Sequence, residues 1–185
     1  MTTHHALTLL IALSASLTQS DSTPRRVGGD VSPPIKIRNA FPAYPERLKL
    51  AGVQDIVFLD TTIDVEGAVA NITPLRGVPQ LVETAVAAVR KWRFTPTRLN
   101  GEPVEVVMTV SVAFFVAGRP RAPVIADVLR DANELVRIKT IEYLSHSTLE
   151  KSEILTLLRQ AQRDNVPAVR DAAEIAILTV QSRGE

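Results

Sequence analysis

The sequence predicts an α+β fold: a small antiparallel sheet in the order strand, strand, helix, strand, with one packed helix, and then an all-α segment of helical hairpins. Three observations support this prediction. Apolar and polar residues alternate along 56–65 and 104–115, as they do in strands with one buried face. Apolar residues recur at helical spacing along 80–93. After a linker that contains Gly and Pro, at 118–123, the composition changes and residues 124–183 are expected to be helical.

The first two strands are predicted to form a hairpin. Side chains 57, 59, 61 and 63 lie on one face of the first strand and those of 56, 58, 60 and 62 on the other. The turn is Asp64-Val65-Glu66-Gly67, in which Gly67 can adopt a positive φ. The returning strand is expected over 68–73, and the stretch from Pro74 to Pro79 breaks the regular pattern before the helix.

The predicted helix, Gln80–Arg93, ends at the only tryptophan of the chain. Val82, Ala85 and Val89 recur on one side of this helix, and Trp92 continues the series. We expect this indole to fix how the helix lies across the sheet.

The last strand is the clearest one. Asn100-Gly101 is a turn signal, and the run 104–115 follows it. Glu105, Thr109 and Ser111 lie on one face. The other face is apolar and consists of Val104, Val106, Met108, Val110, Val112 and Phe114.

The first 20 residues are typical of an export signal. Residues 6–17 are apolar apart from scattered Ser and Thr, and are shorter than the roughly 20 residues of a membrane span. Small residues follow, as a signal-peptidase site requires. We expect a signal peptide over 1–20, with a short uncleaved anchor as the alternative. An extended lead-in over 21–42, with a polar tether at Asp21–Arg26, and a short helix over 46–51 then lead into the domain at 43–117.

Composition excludes several classes of function. With 45% hydrophobic residues the chain can build a core, and a formal charge of only +1 gives no reason to expect a nucleic-acid partner. The absence of cysteine excludes disulfides, thiolate chemistry and Cys-based zinc sites. His4 and His5 lie in the predicted signal peptide, which leaves His146, expected at a surface or a helix end. We therefore predict a protein that is not an enzyme, with no catalytic residue, no cofactor and no metal.

Six short motifs follow one another along residues 27–116: Val27-Gly28-Gly29, Pro33-Pro34, Tyr44-Pro45, Glu66-Gly67, Trp92-x-Phe94-x-Pro96 and Asn100-Gly101. In order and spacing they resemble the C-terminal domain of the TonB family of energy transducers. The resemblance implies a periplasmic domain that binds TonB-dependent outer-membrane receptors, whose short peptide is added to the sheet as a strand, and that is driven by inner-membrane motor proteins. On this reading the structural anchors are Tyr44, Pro45, Gly67, Trp92, Phe94, Pro96 and Gly101.

The sequence departs from the plan of that family in three places. Its N-terminal apolar stretch is short, and no long Pro-rich spacer follows it. The lead-in over 21–40, fully extended, reaches at most about 70 Å. Asp55 stands where the family usually has Gly, at the entry to the first strand.

The helical segment contains an internal repeat. Arg130-Asp131 and Val136-Arg137 recur, at one constant displacement, as Arg163-Asp164 and Val169-Arg170. Repeats of this length are typical of stacked helical hairpins. This pattern resembles HEAT-like repeats, which implies that Asp131 pairs with Arg170 and Arg137 with Asp164. Two repeats are fewer than a free solenoid needs, so we expect them to cap one another, lean on the sheet domain or meet a partner.

Two sharper readings of the motifs have simpler alternatives. The stretch Arg90–Phe94 interleaves basic and aromatic residues, as nucleic-acid sites do, but we favour core aromatics beside a solvated helix end. Asp60, Asp64 and Glu66 could form a divalent-ion site, but their spacing lacks that of a calcium loop, and we favour ordinary hairpin residues.

The functional prediction rests on 104–115. If this run is an edge strand, its unpaired main chain can bind an extended peptide by β-strand addition, and we expect Val110→Pro to weaken that binding. The strand could instead be covered by the tail, or pair with a second copy in a homodimer. A competing hypothesis is a non-energised periplasmic scaffold whose helical tail, 122–183, binds a partner protein.

Overall fold

The computed structural model describes residues 23–119 and 121–183. The predicted signal peptide lies outside the described residues. The sheet domain contains β1 (Arg25–Arg26), β2 (Lys36–Arg38), α1 (Glu46–Leu50), β3 (Asp55–Ile63), β4 (Val69–Arg76), α2 (Pro79–Val89), β5 (Arg93–Phe94), β6 (Arg98–Leu99), β7 (Glu102–Pro103) and β8 (Val106–Phe114). The tail contains α3 (Ala122–Val128), α4 (Glu134–Ser145), α5 (Lys151–Ala161) and α6 (Pro167–Gln181).

The main sheet has four strands in the order β1-β8-β3-β4. β3 is central and pairs antiparallel with both β4 and β8, while β1 runs parallel to β8. The succession β3, β4, α2, β8 is the predicted strand, strand, helix, strand order, so the α+β prediction is confirmed. Two small pairs, β2 with β5 and β6 with β7, lie outside this sheet.

Both faces of β3 are buried, because its alternating side chains serve two separate cores. Val57, Leu59 and Ile63 join α2 and the apolar face of β8. Ile56 and Phe58 point to the opposite face and join the tail helices. The sheet is therefore the middle layer between α2 and the tail.

Glycines shape two turns at the predicted positions. Gly67 has φ +83°, and a Cβ there would overlap the carbonyl oxygen of Phe94. The Phe94 amide donates to the Gly67 carbonyl at 2.8 Å, so β5 approaches this turn as closely as only glycine allows. Asn100 and Gly101, with φ of 53° and 89°, form the turn between β6 and β7.

Two element ends differ from the prediction. The helix α2 ends at Val89 rather than Arg93, because Arg93 and Phe94 form β5 against β2. The strand β4 continues through Pro74 to Arg76. Proline is tolerated there because β4 is an edge strand, and the pairing with β3 shifts register beside it.

The described part of the lead-in pairs with the sheet domain, which the prediction of an extended segment with a polar tether did not include. Arg25 and Arg26 form β1 against β8, and Lys36–Arg38 forms β2 against β5. Between them Val31 is buried with the α2 side of the sheet. Main-chain pairing with distant strands thus holds this segment on the domain.

The tail leans on the sheet domain, one of the arrangements expected for so few repeats. Its first helix begins at Ala122, within the predicted linker, and contacts β3. The four helices share one apolar core with Ile56 and Phe58. Over the described ranges 23–119 and 121–183, no helix is both long and apolar enough to span a membrane.

Candidate functional site

The main chain of β8 directs its hydrogen-bonding groups to two sides. The amides of Arg25 and Val27 donate to the carbonyls of Glu105 and Val107, both at 2.9 Å. Orientation alternates along a strand, so the odd-numbered residues of β8 point toward the β1 side and the even-numbered residues point toward β3. The β8 edge that faces β1 is therefore made of odd-numbered residues.

Strand β1 covers only the start of this edge. It pairs with Val106 and Val107, and the chain then turns away at Gly28. Arg26 reaches back across β8 to Asp60 on β3, with nitrogen–oxygen distances of 2.5 and 3.2 Å, and the hydroxyl of Thr109 donates to the same carboxylate at 2.6 Å. These contacts hold β1 at one end of the edge.

The rest of the edge is open. The outward N–H and C=O groups of Thr109, Ser111 and Ala113 have no main-chain partner among the described residues. Ser111 and Ala113 are exposed, and Thr109 is half-buried. This segment, 109–113, is called the open edge below.

The apolar side chains predicted to line the binding strand point elsewhere. Those of Val106, Val110, Val112 and Phe114 are buried in the α2-side core, and Val104 and Met108 pack against that core. Binding along β8 would therefore use the main chain of the odd-numbered residues. Val110→Pro does not isolate peptide binding at this edge. The Val110 amide points to β3, so its loss would disrupt the sheet itself.

Helix α4 lies beside the open edge and forms a second wall. A cavity of about 470 Å³ lies between them, lined by Thr109, Ser111, Lys139, Glu142, Tyr143 and His146. Lys139 and Glu142 form an ion pair at 2.8 Å, and burial raises the pKa of the Tyr143 hydroxyl. His146 is the exposed C-cap of α4, at a helix end as expected. The cavity beside the open edge is thus lined by hydroxyl, charged and aromatic side chains.

The opposite edge of the sheet, along β4, is protected against strand addition. Its pairing with β3 shifts register at two points, and Pro74 lacks an amide donor. Bulges and prolines are common protections of edge strands. The open edge on β8 is the better template.

The predicted anchors lie around the packed helix α2. Trp92 is 6% exposed, and its indole Nε1 donates to the Ala40 carbonyl at 2.9 Å. Lys36 lies 3.7 Å above the indole ring, and burial lowers the pKa of its ammonium group. The ring of Phe94 contacts Trp92 edge-on. These contacts tie the lead-in to α2 and β5.

Tyr44 joins α1 to the end of β8. Its ring packs edge-on against Phe114, and its hydroxyl donates to the Val53 carbonyl. Pro45 precedes α1 as its N-cap residue, and Pro96 is exposed after β5. The Tyr44-Pro45 motif thus positions the entry to β3.

The carboxylates near the first hairpin have structural partners. Asp60 binds Arg26 and Thr109, and one oxygen of Asp64 accepts from the amides of Glu66 and Ala68 at 2.9 and 2.8 Å. Burial raises the pKa of the Asp60 carboxyl, but hydrogen bonds from Arg26 and Thr109 and nearby positive charges outweigh this effect and hold it below its usual value. No metal-binding group of three or more His, Asp or Glu occurs in the described part of the chain.

In the tail, Arg137 pairs with Asp164 as expected, with Nε and Nη2 at 2.7 and 2.9 Å from the two carboxylate oxygens. The expected pairing of Asp131 with Arg170 is wrong. Asp131 instead binds Nε of Arg76, on β4, at 3.0 Å. One of the two pairs expected from the repeat is therefore present, and the partner of Asp131 comes from the sheet domain.

Arg76 is the residue that sequence reasoning missed. It binds Asp55 at the start of β3, Asp127 in α3 at 3.1 Å and Asp131 after that helix. Asp55 is 5% exposed, and it also accepts from the Val78 amide at 2.8 Å, at the N-terminus of α2. The departure at Asp55 was the one available signal of this network, which joins β3, α2 and the tail.

The sheet domain is similar to known proteins. Residues 40–116 match the family model described as "Gram-negative bacterial TonB protein C-terminal". Among solved structures, the chain matches the solution NMR structure of the Pseudomonas aeruginosa TonB CTD at 27% identity and a TM-score of 0.36, over 51% of this chain and 92% of that chain. A search of curated proteins found no match.

Proposed function

We propose that residues 40–116, which match the family model of the TonB C-terminal domain, act as such a domain in TonB-dependent transport. The protein is then a periplasmic interaction module that binds an extended peptide by β-strand addition at the open edge. The proposed partner is the N-terminal peptide of a TonB-dependent outer-membrane receptor. The single observation that carries this proposal is the unpaired main chain of Thr109, Ser111 and Ala113.

The position of β1 limits the length of the added strand. β1 runs parallel to β8 beside residues 105–107 and leaves the edge at Gly28. A peptide of about five residues fits beside 109–113 without displacing β1, since strands rise about 3.3 Å per residue. A longer peptide would have to replace β1, which has two paired residues and the Arg26–Asp60 contact.

Helix α4 supports selectivity. Side chains of an added strand alternate between the two faces of the sheet, and those on the tail side would meet Tyr143 and His146 across the cavity. The other side chains would face the α2 side and meet no part of α4. The tail therefore contributes to peptide choice in this proposal.

The lead-in supports a role without long-range force transmission. Over its described part, residues 25–26 and 36–38 are paired with the domain and do not form an extended spacer. The alternative is a scaffold that binds its partner through the tail. It is favoured by α6, on which Ile175 and Leu178 are 66% and 62% exposed.

The proposal is tested with Ser111→Pro. This change removes an outward amide and leaves a carbonyl of the bound peptide without its donor, at a cost of about 1–3 kcal/mol, or roughly 5- to 150-fold in affinity. The probe is a synthetic peptide with the N-terminal segment of a TonB-dependent receptor, and binding is measured by fluorescence anisotropy. Ser111→Ala, which keeps the amide, should bind like the unmodified protein.

Two results separate the alternatives. Equal affinity of the Ser111→Pro and Ser111→Ala variants would contradict strand addition at this edge. A change in sedimentation with no change in peptide affinity would assign the edge to a homodimer. If Ser111→Pro lowers the stability of the sheet, Ala113→Pro, which removes a different outward amide, replaces it in the test.

A further inference from the structure

Arg137 and Arg170, which occupy equivalent positions in the two repeats, make the same main-chain hydrogen bonds through Nη1. Nη1 of Arg137 donates to the carbonyls of Asp131 and Ala132 at 2.7 and 3.2 Å. Nη1 of Arg170 donates to the carbonyls of Asp164 and Asn165 at 2.8 and 3.1 Å. Each guanidinium is thus held in place by the turn that precedes its own helix.

The two turn aspartates are also equivalent. One oxygen of Asp131 accepts from the Asn133 amide, and one oxygen of Asp164 accepts from the Val166 amide, both at 2.9 Å. The other oxygen of each binds Nε of an arginine from the preceding element, Arg76 or Arg137, at 3.0 and 2.7 Å. We call this series the Arg–Asp ladder: Arg76 with Asp131, Arg137 with Asp164, and then Arg170.

The last rung of the ladder is open. Nε and Nη2 of Arg137 hold Asp164, but no carboxylate binds the corresponding nitrogens of Arg170 among residues 23–119 and 121–183. Arg170 is only half-buried, and its Nη1 is fixed by two carbonyls. Little side-chain entropy therefore remains to be lost when a carboxylate binds.

The face of α6 beside Arg170 is uncovered as well. Helix α4 contacts α6, and Ile141 and Ser145, one and two turns after Arg137 on α4, are 1% and 6% exposed. The equivalent residues of the second repeat are Glu174 and Leu178, and Leu178 is 62% exposed. Ile175, which corresponds to the exposed Glu142 of α4, is 66% exposed and adds apolar surface next to Leu178. The surface that is buried on α4 is therefore exposed to solvent at the equivalent position on α6.

We propose that this face of α6 is a docking surface for a partner protein that stacks a helical hairpin on it and places an aspartate or glutamate of its interhelical turn on Arg170. The partner carboxylate takes the position that Asp164 has on Arg137. A partner of another kind is favoured over a second copy, because both turn aspartates of this chain are already bound by arginines. The proposal does not rest on peptide binding at the open edge.

The chemistry is tested by joining a copy of residues 151–183 directly after Arg183, in place of Gly184 and Glu185. The copy continues the chain at the displacement of the repeat, which brings the copy of Asp164 to Arg170. We expect this extension to raise the urea midpoint of unfolding, and Asn in place of the copied aspartate to remove most of the gain. The two extended proteins share residues 1–183 and differ only at the copied aspartate, so their difference measures the contact with Arg170. Equal midpoints for the Asp and Asn copies would overturn the proposal.

The partner is tested in cells by photo-crosslinking from position 178. The expected cross-link lies at a turn between two helices of another protein that carries an acidic residue, and it is lost in Arg170→Gln. Arg163→Gln is the control, because Arg163 is exposed nearby and is not part of the ladder. A cross-link only to a second copy, or one that persists in Arg170→Gln, would overturn the assignment.

Discussion

Asp164→Asn tests the energetic importance of the Arg–Asp ladder. Asn can keep the hydrogen bond from the Val166 amide but loses the charge that binds Arg137. The two side chains are only 8% and 11% exposed, so water cannot replace the lost partner. The bond from Nε to Oδ2 is lost, and the bond from Nη2 to Oδ1, the oxygen that Asn keeps, loses its anionic acceptor; hydrogen bonds to charged groups contribute about 1.5–3 kcal/mol each. Since breaking a buried pair from one side typically costs about 3–5 kcal/mol, we expect a loss in that range.

Urea unfolding followed by far-UV circular dichroism measures this loss. Glu142→Gln is the matched control, because its ion pair with Lys139 has one side chain 29% and the other 55% exposed. Such surface pairs contribute about 0–1 kcal/mol. The double variant Arg137→Met, Asp164→Asn should lose less than the sum of the two single changes, because it leaves no unpaired buried charge.

The pH dependence gives a second readout. The hydrogen bond from Arg137 is the main cause that holds the folded-state pKa of Asp164 below its usual value of 3.8. A carboxyl with a lowered folded-state pKa stabilises the fold above its unfolded-state pKa and loses that contribution as pH falls through the folded-state value. The stability difference between the unmodified protein and Asp164→Asn should be constant from pH 8 to about 5, and should narrow below about pH 4. A loss under 1 kcal/mol at pH 7, or a difference that stays constant down to pH 3, would refute this reasoning.

Two further predictions concern the sheet. Gly67→Ala should destabilise the fold by more than about 3 kcal/mol, because strain at positive φ adds to a backbone overlap with Phe94. Gly101→Ala, with open space around it, should cost about 1 kcal/mol. Equal losses of stability in thermal unfolding would show that the overlap is relieved. Phe58→Ala should lower the stability by about 3–5 kcal/mol. Because Phe58 belongs to the core shared by β3 and the tail, the unfolding transitions followed by Trp92 fluorescence and by circular dichroism should shift together. A shift in circular dichroism alone would indicate that the tail unfolds separately.

Much of the sheet domain follows from local patterns. The alternation along 56–65 and 104–115 identifies β3 and β8, and Gly67 and Asn100-Gly101 identify two turns, because each signal depends on residues close in sequence. The constant displacement between the two repeats likewise predicts the contact between Arg137 and Asp164. Whether the tail belongs to the HEAT-like class stays a prediction.

The in-plane orientation of β8 could not be predicted in the same way. Alternation assigns the side chains of Val110 and Ser111 to opposite faces, but it does not say which amide points to which neighbouring strand. That choice depends on the register with β3 and on β1, a two-residue strand of arginines without an apolar pattern. The outward groups of the open edge therefore became visible only with the three strands in place.

Arg76 was also beyond sequence reasoning. A single arginine has no periodicity, and its partners lie in β3, in α3 and in the turn after α3, all distant from it along the chain. Only the tertiary packing of the tail on the sheet brings these carboxylates together.

The cover that the tail provides for β3 has a consequence for proteolysis. Cleavage near Gly118 would separate α3 to α6 and uncover Ile56 and Phe58, which are fully buried in the intact chain. The remaining fragment would keep its fold-defining strands but expose the apolar patch around Ile56 and Phe58 to water. Exposed apolar patches of this kind promote self-association, so a clipped domain is expected to aggregate rather than act as a minimal binding unit.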